Sequence, residues 1–96
     1  GKVDFWLLTE DPFDISRFAR RKREEVLGLT LFVSTAEDTI LAKLRWAKLS
    51  GGSEKQFHDV LRVYQVQFER LDIKYLLKWV EILDLGDDWE RVIRES

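Results

Sequence analysis

The chain from residue 34 to its C-terminus alternates between helix-start signals and apolar residues at helical spacing, and this pattern constrains the fold most strongly. Residues 34–37 (Ser-Thr-Ala-Glu) and 53–56 (Ser-Glu-Lys-Gln) are capping boxes, which satisfy free backbone amides at the start of a helix. Asp72, and then Asp87 or Asp88, predict two more helix starts. We therefore expect an array of about four helices in this part of the chain.

The apolar positions of this array recur every three or four residues, as in helices that bury one face. Gly51 and Gly52 separate the first two helices, and Gly86 is predicted to end the third. The predicted buried positions are Ile40, Leu41, Leu44, Ala47, Phe57, Val60, Leu61, Tyr64, Phe68, Ile73, Leu76, Leu77, Val80, Leu83, Trp89, Val92 and Ile93.

The first third of the chain predicts a small sheet with one helix. Residues 2–9 are rich in β-branched and aromatic side chains and predict a strand, and an Asp-Pro pair at 11–12 predicts a short helix that ends near Arg21. Residues 24–33 predict a hairpin that turns near Gly28, with a continuing helix as the alternative. The predicted fold class is α+β and mostly helical: a small antiparallel sheet of strand 2–9 and the hairpin, followed by the helical array.

Composition indicates the broad class of protein. The chain has 96 residues, 45% of them hydrophobic and 35% charged, which predicts one globular domain over residues 1–96. It contains no cysteine, so disulfides and thiolate metal sites are excluded and a cytoplasmic protein is favoured. The longest apolar run covers only residues 5–8, so no membrane span is predicted. The net charge of −2 gives no general attraction to nucleic acid or to an anionic membrane.

Two patterns have both a functional and a structural interpretation. His58 lies in a predicted helix and no Ser-elbow motif accompanies it, so a surface role is favoured over a catalytic triad. Residues 17–23 form a basic run that would bind a polynucleotide with strong salt dependence. Glu24 and Glu25 follow directly, and a solvated face explains such a run more often. Nucleic acid is therefore not expected as a partner.

Three segments together carry a resemblance to a known group: residues 2–5 (Lys-Val-Asp-Phe), 37–44 (Glu-Asp-Thr-Ile-Leu-Ala-Lys-Leu) and 51–61 (Gly-Gly-Ser-Glu-Lys-Gln-Phe-His-Asp-Val-Leu). They resemble small bacterial nucleotidyltransferase-like proteins related to the abortive-infection toxin nucleotidyltransferases. The resemblance extends over nearly the whole chain and is most specific from residue 34 to residue 61.

The resemblance implies a magnesium-dependent reaction on a nucleoside triphosphate. Two divalent ions hold the nucleotide phosphates in such chemistry, and they require several carboxylates close together. Asp4 matches the third metal-binding carboxylate of the family, and Lys43 matches a helical lysine that reaches toward the phosphates. Asp59 matches an acidic position of the next helix, where it supports the site.

The chain departs from the family pattern at one decisive place. No Gly-Ser turn and no Asp-x-Asp segment precede Asp4, and one carboxylate does not hold two metal ions. We therefore expect the chain to be the C-terminal portion of a longer nucleotidyltransferase-fold protein and to be inactive alone. Magnesium is expected in the full-length parent and not on this chain.

Each implied site residue also has a structural interpretation. Asp4 is then a solvated carboxylate at a sheet edge, and Lys43 a surface lysine or a partner for an acidic residue. Asp59 pairs with Lys43 or Arg62 and joins two helices.

Core packing is the default interpretation of Trp46, Trp79 and Trp89, but Trp46 lies on the flank of its apolar stripe, a position that would suit an interface with another domain or a second chain. These interpretations support an alternative function, a non-catalytic interaction module whose helical half docks a partner protein in a toxin–antitoxin-like pair. A homodimer is the other assembly that the sequence leaves open.

Overall fold

The structure, a computed structural model, describes residues 11–96. The strand predicted at 2–9 and the metal ligand predicted at Asp4 lie outside the described residues. Within the described part, the chain forms five α-helices, one 3-10 helix and a two-stranded antiparallel sheet. This confirms the predicted fold class, α+β and mostly helical, with a small sheet followed by a helical array.

The described residues divide into two compact units, one ending at Thr35 and the other beginning at Ala36. A 3-10 helix, Phe68–Arg70, follows the third α-helix. The elements of the first unit are α1 (Pro12–Arg20), β1 (Lys22–Val26) and β2 (Leu29–Val33), and those of the second are α2 (Ala36–Leu49), α3 (Glu54–Gln67), α4 (Ile73–Ile82) and α5 (Gly86–Glu95).

The first unit is a capped helix followed by a hairpin. The Asp11 carboxylate accepts a hydrogen bond from the Asp14 amide at 3.1 Å, which caps α1 as predicted. Strands β1 and β2 are antiparallel in register around Leu27 and Gly28, whose φ angles of 52° and 81° suit a tight hairpin turn. The hairpin prediction is confirmed, and the continuing-helix alternative is wrong because α1 ends at Arg20.

The second unit begins with a helical hairpin of α2 and α3. Residues 50–53 join them, and Gly51 and Gly52 have φ angles of 85° and 95°, a region that side chains with a Cβ rarely adopt. The Ser53 hydroxyl accepts from the Gln56 amide at 3.2 Å, so the second capping box begins α3 as predicted. Because the connection is short, the two helices lie side by side and antiparallel.

Helices α4 and α5 complete this unit. The Asp72 carboxylate accepts from the Tyr75 amide at 3.1 Å and caps α4, as predicted. Helix α4 already ends at Ile82, and the chain reverses through Asp84 at φ 57°. The predicted stop at Gly86 is therefore wrong, since Gly86 is the first residue of α5.

The core of the second unit follows the predicted helical spacing. Four of the predicted core residues are wrong because their side chains are exposed: Phe68, Ile73, Leu77 and Ile93 are 55%, 37%, 48% and 45% exposed. The buried apolar residues are Ile40, Leu41, Leu44, Ala47, Phe57, Val60, Tyr64, Leu76, Trp79, Val80, Leu85, Trp89 and Val92. Within residues 11–96, no helix is long and apolar enough to cross a membrane.

Candidate functional site

The structure brings Lys43 and Asp59 together on the helical hairpin. Lys43 lies midway along α2, and its Nζ is 3.4 Å from Asp59 Oδ2 on α3. The same ammonium group is 3.4 Å from Oε1 of Gln56, one turn earlier on α3. Two segments of the sequence, separated by the turn at residues 50–53, therefore contribute to one polar cluster.

This cluster lies at the surface of the helical hairpin. The Lys43 side chain is 34% exposed and that of Asp59 44% exposed, so solvent and small molecules reach both groups. The helical packing fixes the positions of both Cα atoms, while the 3.4 Å separation is long for a charge-assisted hydrogen bond. Such a pair adds little to stability and remains open to an additional ligand.

Trp46 lies beside the cluster on α2. It is 59% exposed, whereas Trp79 and Trp89 are 5% and 7% exposed in the core. Residues three apart on a helix are neighbours on its surface, so Trp46 and Lys43 share one face of α2. The sequence indicated this flank position of Trp46, but not its proximity to a charged pair.

The Glu-Asp pair that carries part of the family resemblance connects α2 to α4. Glu37 Oε2 accepts from the Asp72 amide at 2.9 Å, and Asp38 Oδ1 accepts from the Tyr75 hydroxyl at 2.5 Å. Asp38 is fully buried, and Glu37 is 9% exposed. Buried carboxylates need such donors, because burial without them is costly. These two residues therefore hold the start of α4 against the start of α2.

The arginines of the predicted basic run are used within the first unit. Arg17 Nε donates to the Ser34 hydroxyl at 2.8 Å. The Arg21 guanidinium lies 3.7 Å from the ring centre of Phe18 and 4.8 Å from that of Phe32. These cation–π contacts and the hydrogen bond favour a structural role for the run.

Arg91 of α5 forms a second charged cluster that sequence reasoning missed. Its Nη1 and Nη2 donate to both carboxylate oxygens of Glu54 at 2.9 and 2.8 Å, and Nε donates to Glu95 at 2.8 Å. The guanidinium also covers the Phe57 ring at 3.8 Å. The bond to Arg91 lowers the pKa of Glu54, and the same bond raises the pKa of Arg91. Only the spacing of four between Arg91 and Glu95 was visible in the sequence.

No group of three or more possible metal ligands occurs among residues 11–96. Asp4 lies outside this range, so the described part of the chain carries Lys43 and Asp59 and leaves the predicted metal ligand untested. His58 is exposed on α3 with its ring 6.2 Å from that of Phe57, which fits the predicted surface position. An open depression of about 480 Å³ lies elsewhere, along residues 65–70.

Comparison with known proteins does not identify the chain: no family model, curated protein or solved structure matches it.

Proposed function

We propose that this chain is the largely helical C-terminal part of a magnesium-dependent nucleotidyltransferase-like protein. In this proposal, Lys43 and Asp59 contact the nucleotide from the helical hairpin, and Asp4 is the third metal-binding carboxylate. The proposal rests on one observation: Gln56 and Asp59 each lie 3.4 Å from the Lys43 ammonium group. These three residues come from two segments that carry the family resemblance.

The arrangement of this cluster suits a supporting role toward a nucleotide. A lysine anchored on a helix presents a point charge at a fixed place, which helps to orient a bound substrate. The Lys43 ammonium is partly exposed, and among residues 11–96 its hydrogen-bonding partners lie on α3. The Glu37 and Asp38 contacts stiffen the helix that carries it, because they tie its first turn to α4.

The chemistry of the parent requires groups beyond this cluster. Magnesium ions clamp the nucleotide phosphates and stabilise charge on the attacking and leaving oxygens. The resemblance implies that a Gly-Ser turn and paired aspartates hold these ions together with Asp4. The 96-residue chain alone is therefore expected to transfer nothing, and activity is expected from the natural gene product.

The proposal is tested by nucleotidyl transfer from radiolabelled nucleoside triphosphates with magnesium, using the natural gene product. We expect Asp4→Ala to abolish transfer and Lys43→Ala to reduce it by about tenfold or more, as for the loss of one hydrogen bond to a charged group. Lys74→Ala is the matched control, because Lys74 is an exposed lysine on α4, outside the cluster. Its transfer rate should equal that of the unaltered protein.

A magnesium-dependent activity that survives Lys43→Ala unchanged would remove Lys43 from the proposal. A gene product that binds no nucleoside triphosphate in the presence of magnesium would overturn the proposal as a whole. Asp59→Asn is an additional variant, since it keeps the size of the side chain and removes its charge. We expect it to weaken nucleotide binding without unfolding the chain.

One observation favours a second function, an interaction module for a protein partner. All ten residues of β1 and β2 are exposed, and the face of the hairpin that carries Val26, Leu29, Leu31 and Val33 is mainly apolar. A two-stranded hairpin is marginally stable by itself, so a covering surface would stabilise it. Sedimentation of the purified chain tests this function, and a monomer at all concentrations would argue against self-association.

A further inference from the structure

We infer that the cluster around Lys43 recognises the nucleoside end of its substrate: the base stacks on Trp46, and the ribose hydroxyl groups bridge Lys43 and Asp59. The inference rests on the proposed function, because it names the part of the nucleotide that this surface takes. It assigns a binding role to Trp46 and a preference for a sugar over a phosphate to the charged pair.

Trp46 is a neighbour of Lys43 on the surface of α2. Trp46 follows Lys43 by three residues in one continuous helix, so the Cβ atoms of these residues lie about 5–6 Å apart. Side chains on a helix lean toward its N-terminus, and the indole of Trp46 therefore leans toward the turn that bears Lys43. A ring that is 59% exposed beside a polar cluster offers a flat face on which a base can stack.

The register of α2 and α3 places Gln56 level with Trp46. Lys43 lies opposite Asp59 across α2 and α3, and antiparallel neighbours keep this register, so residue 46 is level with residue 56. Gln56 contacts Lys43 and belongs to the same cluster. Trp46 is 59% exposed and neighbours Lys43 on the surface of α2, so it lies at the outer edge of the cluster that Lys43 forms with Gln56 and Asp59.

Lys43 and Asp59 have hydrogen-bonding groups beyond those they use for each other. A lysine ammonium has three donors, and within residues 11–96 two of them are directed at Gln56 and Asp59. Asp59 uses Oδ2 for this contact, and within the same described residues its Oδ1 remains to accept a further bond. The surface therefore presents one donor next to one acceptor, a few ångströms from an aromatic face.

This donor and acceptor pattern distinguishes a ribose from a phosphate. The hydroxyl groups of a ribose both donate and accept, and a carboxylate that accepts from ribose hydroxyls is a common way to bind a nucleotide. A phosphate only accepts and carries negative charge, and the Asp59 carboxylate offsets the attraction of the Lys43 ammonium group for it. The inferred contact with ribose replaces the contact with the phosphates that the resemblance implies for Lys43. The phosphates are then left to the magnesium-binding part of the proposed parent.

The test uses the isotope-labelled 96-residue chain and follows the indole N–H signal of Trp46 by NMR, which Trp46→Phe identifies by its loss. We expect adenosine to shift this signal saturably, and 2′,3′-dideoxyadenosine to bind about fivefold more weakly or worse, because it lacks the hydroxyl groups that pair with Lys43 and Asp59. Inorganic triphosphate should leave the signal unchanged. Asp59→Asn should weaken adenosine binding by a similar factor.

Ile82→Ala is the matched control, because Ile82 is a 56% exposed residue of α4 outside the cluster, and its variant should bind adenosine as the unaltered chain does. No shift with adenosine up to its solubility limit, or a larger shift with triphosphate, would overturn the inference. Transfer activity in the gene product without an adenosine shift would refute this inference alone. An adenosine shift without any transfer activity would refute the proposed function and leave the nucleoside surface standing.

Discussion

Leu31 in β2 and Leu41 in α2 are the same side chain ten positions apart, yet Leu31 is 45% exposed and Leu41 is fully buried. Both belong to regular elements, Leu31 to a strand of the hairpin and Leu41 to a helix of the array. The hairpin pairs backbone groups in a single layer, and its side chains have no second layer of the described residues to cover them. The helices surround a shared core instead.

The difference teaches that regular secondary structure and stability have different sources in this molecule. Backbone pairing in the hairpin exchanges hydrogen bonds to water for internal ones, which contributes little net free energy. Burial of apolar surface contributes about 25 cal/mol per Å², and the buried side chains cluster in the helical unit. We expect substitutions to have large effects in α2–α5 and small effects in β1 and β2.

The largest predicted effect compares these two leucines directly. Leu41→Ala should lower the free energy of unfolding by about 2–5 kcal/mol, because it removes buried methyl groups and leaves a cavity. Leu31→Ala should change it by less than about 0.5 kcal/mol, as is usual for exposed positions. Urea unfolding followed by circular dichroism measures both. Equal losses would show that the hairpin face is covered in solution, and would contradict the comparison.

The next effect concerns one hydroxyl group in each region. Tyr75→Phe removes the donor to the buried Asp38 carboxylate and should destabilise the helical unit by about 1–3 kcal/mol. Thr30→Val removes an exposed hydroxyl that donates to Glu25 at 3.0 Å, and should cost less than about 0.5 kcal/mol. Both variants keep the shape of the side chain, so the unfolding midpoints in urea compare the hydrogen bonds themselves. A tyrosine variant as stable as the original chain would show that Asp38 does not depend on this donor.

Local sequence patterns predicted the elements of this fold because each pattern needs only a few neighbouring residues. Asp11, Ser53 and Asp72 cap the helices that the sequence assigned to them. The same reasoning placed Ile73 and Leu77 in the core, since both lie near the apolar stripe of α4. They are exposed, because the width of a buried stripe depends on how many neighbours cover it, which the spacing alone does not specify.

Contacts between distant residues were predicted less well. The sequence allows Lys43 to pair with Asp59, because a short turn brings two predicted helices into a foreseeable register. The bond from Asp72 to Glu37 was not foreseen, since it joins residues 35 apart and the local capping box gave Glu37 a different partner. The role of Asp4 stays a prediction, because it lies outside the described residues.

A smaller effect should appear as a dependence on pH. The Arg91 guanidinium lowers the pKa of Glu54 in the folded chain, so the ionised form stabilises the fold above the ordinary pKa of a carboxyl group. This contribution is lost as the pH falls through the lowered pKa. We expect Glu54→Gln to be less stable than the original chain near neutral pH, and the difference to shrink on acidification. Urea midpoints measured across the acidic range test the trend.

The control for this pH effect comes from the hairpin. Glu24→Gln removes an exposed carboxylate of β1, and its stability near neutral pH should lie within about 0.5 kcal/mol of that of the original chain. A Glu54→Gln chain whose deficit stays constant down to strongly acidic pH would show that the ionised Glu54 carboxylate is not what stabilises the fold.

The smallest effect compares two ion pairs and bears on the proposed function. A double-mutant cycle of Lys43→Ala and Asp59→Ala should give a coupling of about 0.2–1 kcal/mol, because both groups are partly exposed. The cycle for Arg23 and Glu25 in β1 should give no measurable coupling, since these side chains are 67% and 63% exposed. A coupling well above this range would identify Lys43–Asp59 as a structural tie that a ligand cannot easily enter. A weak coupling leaves both groups free to exchange their mutual contact for the hydroxyl groups of a nucleoside, as the inferred surface requires.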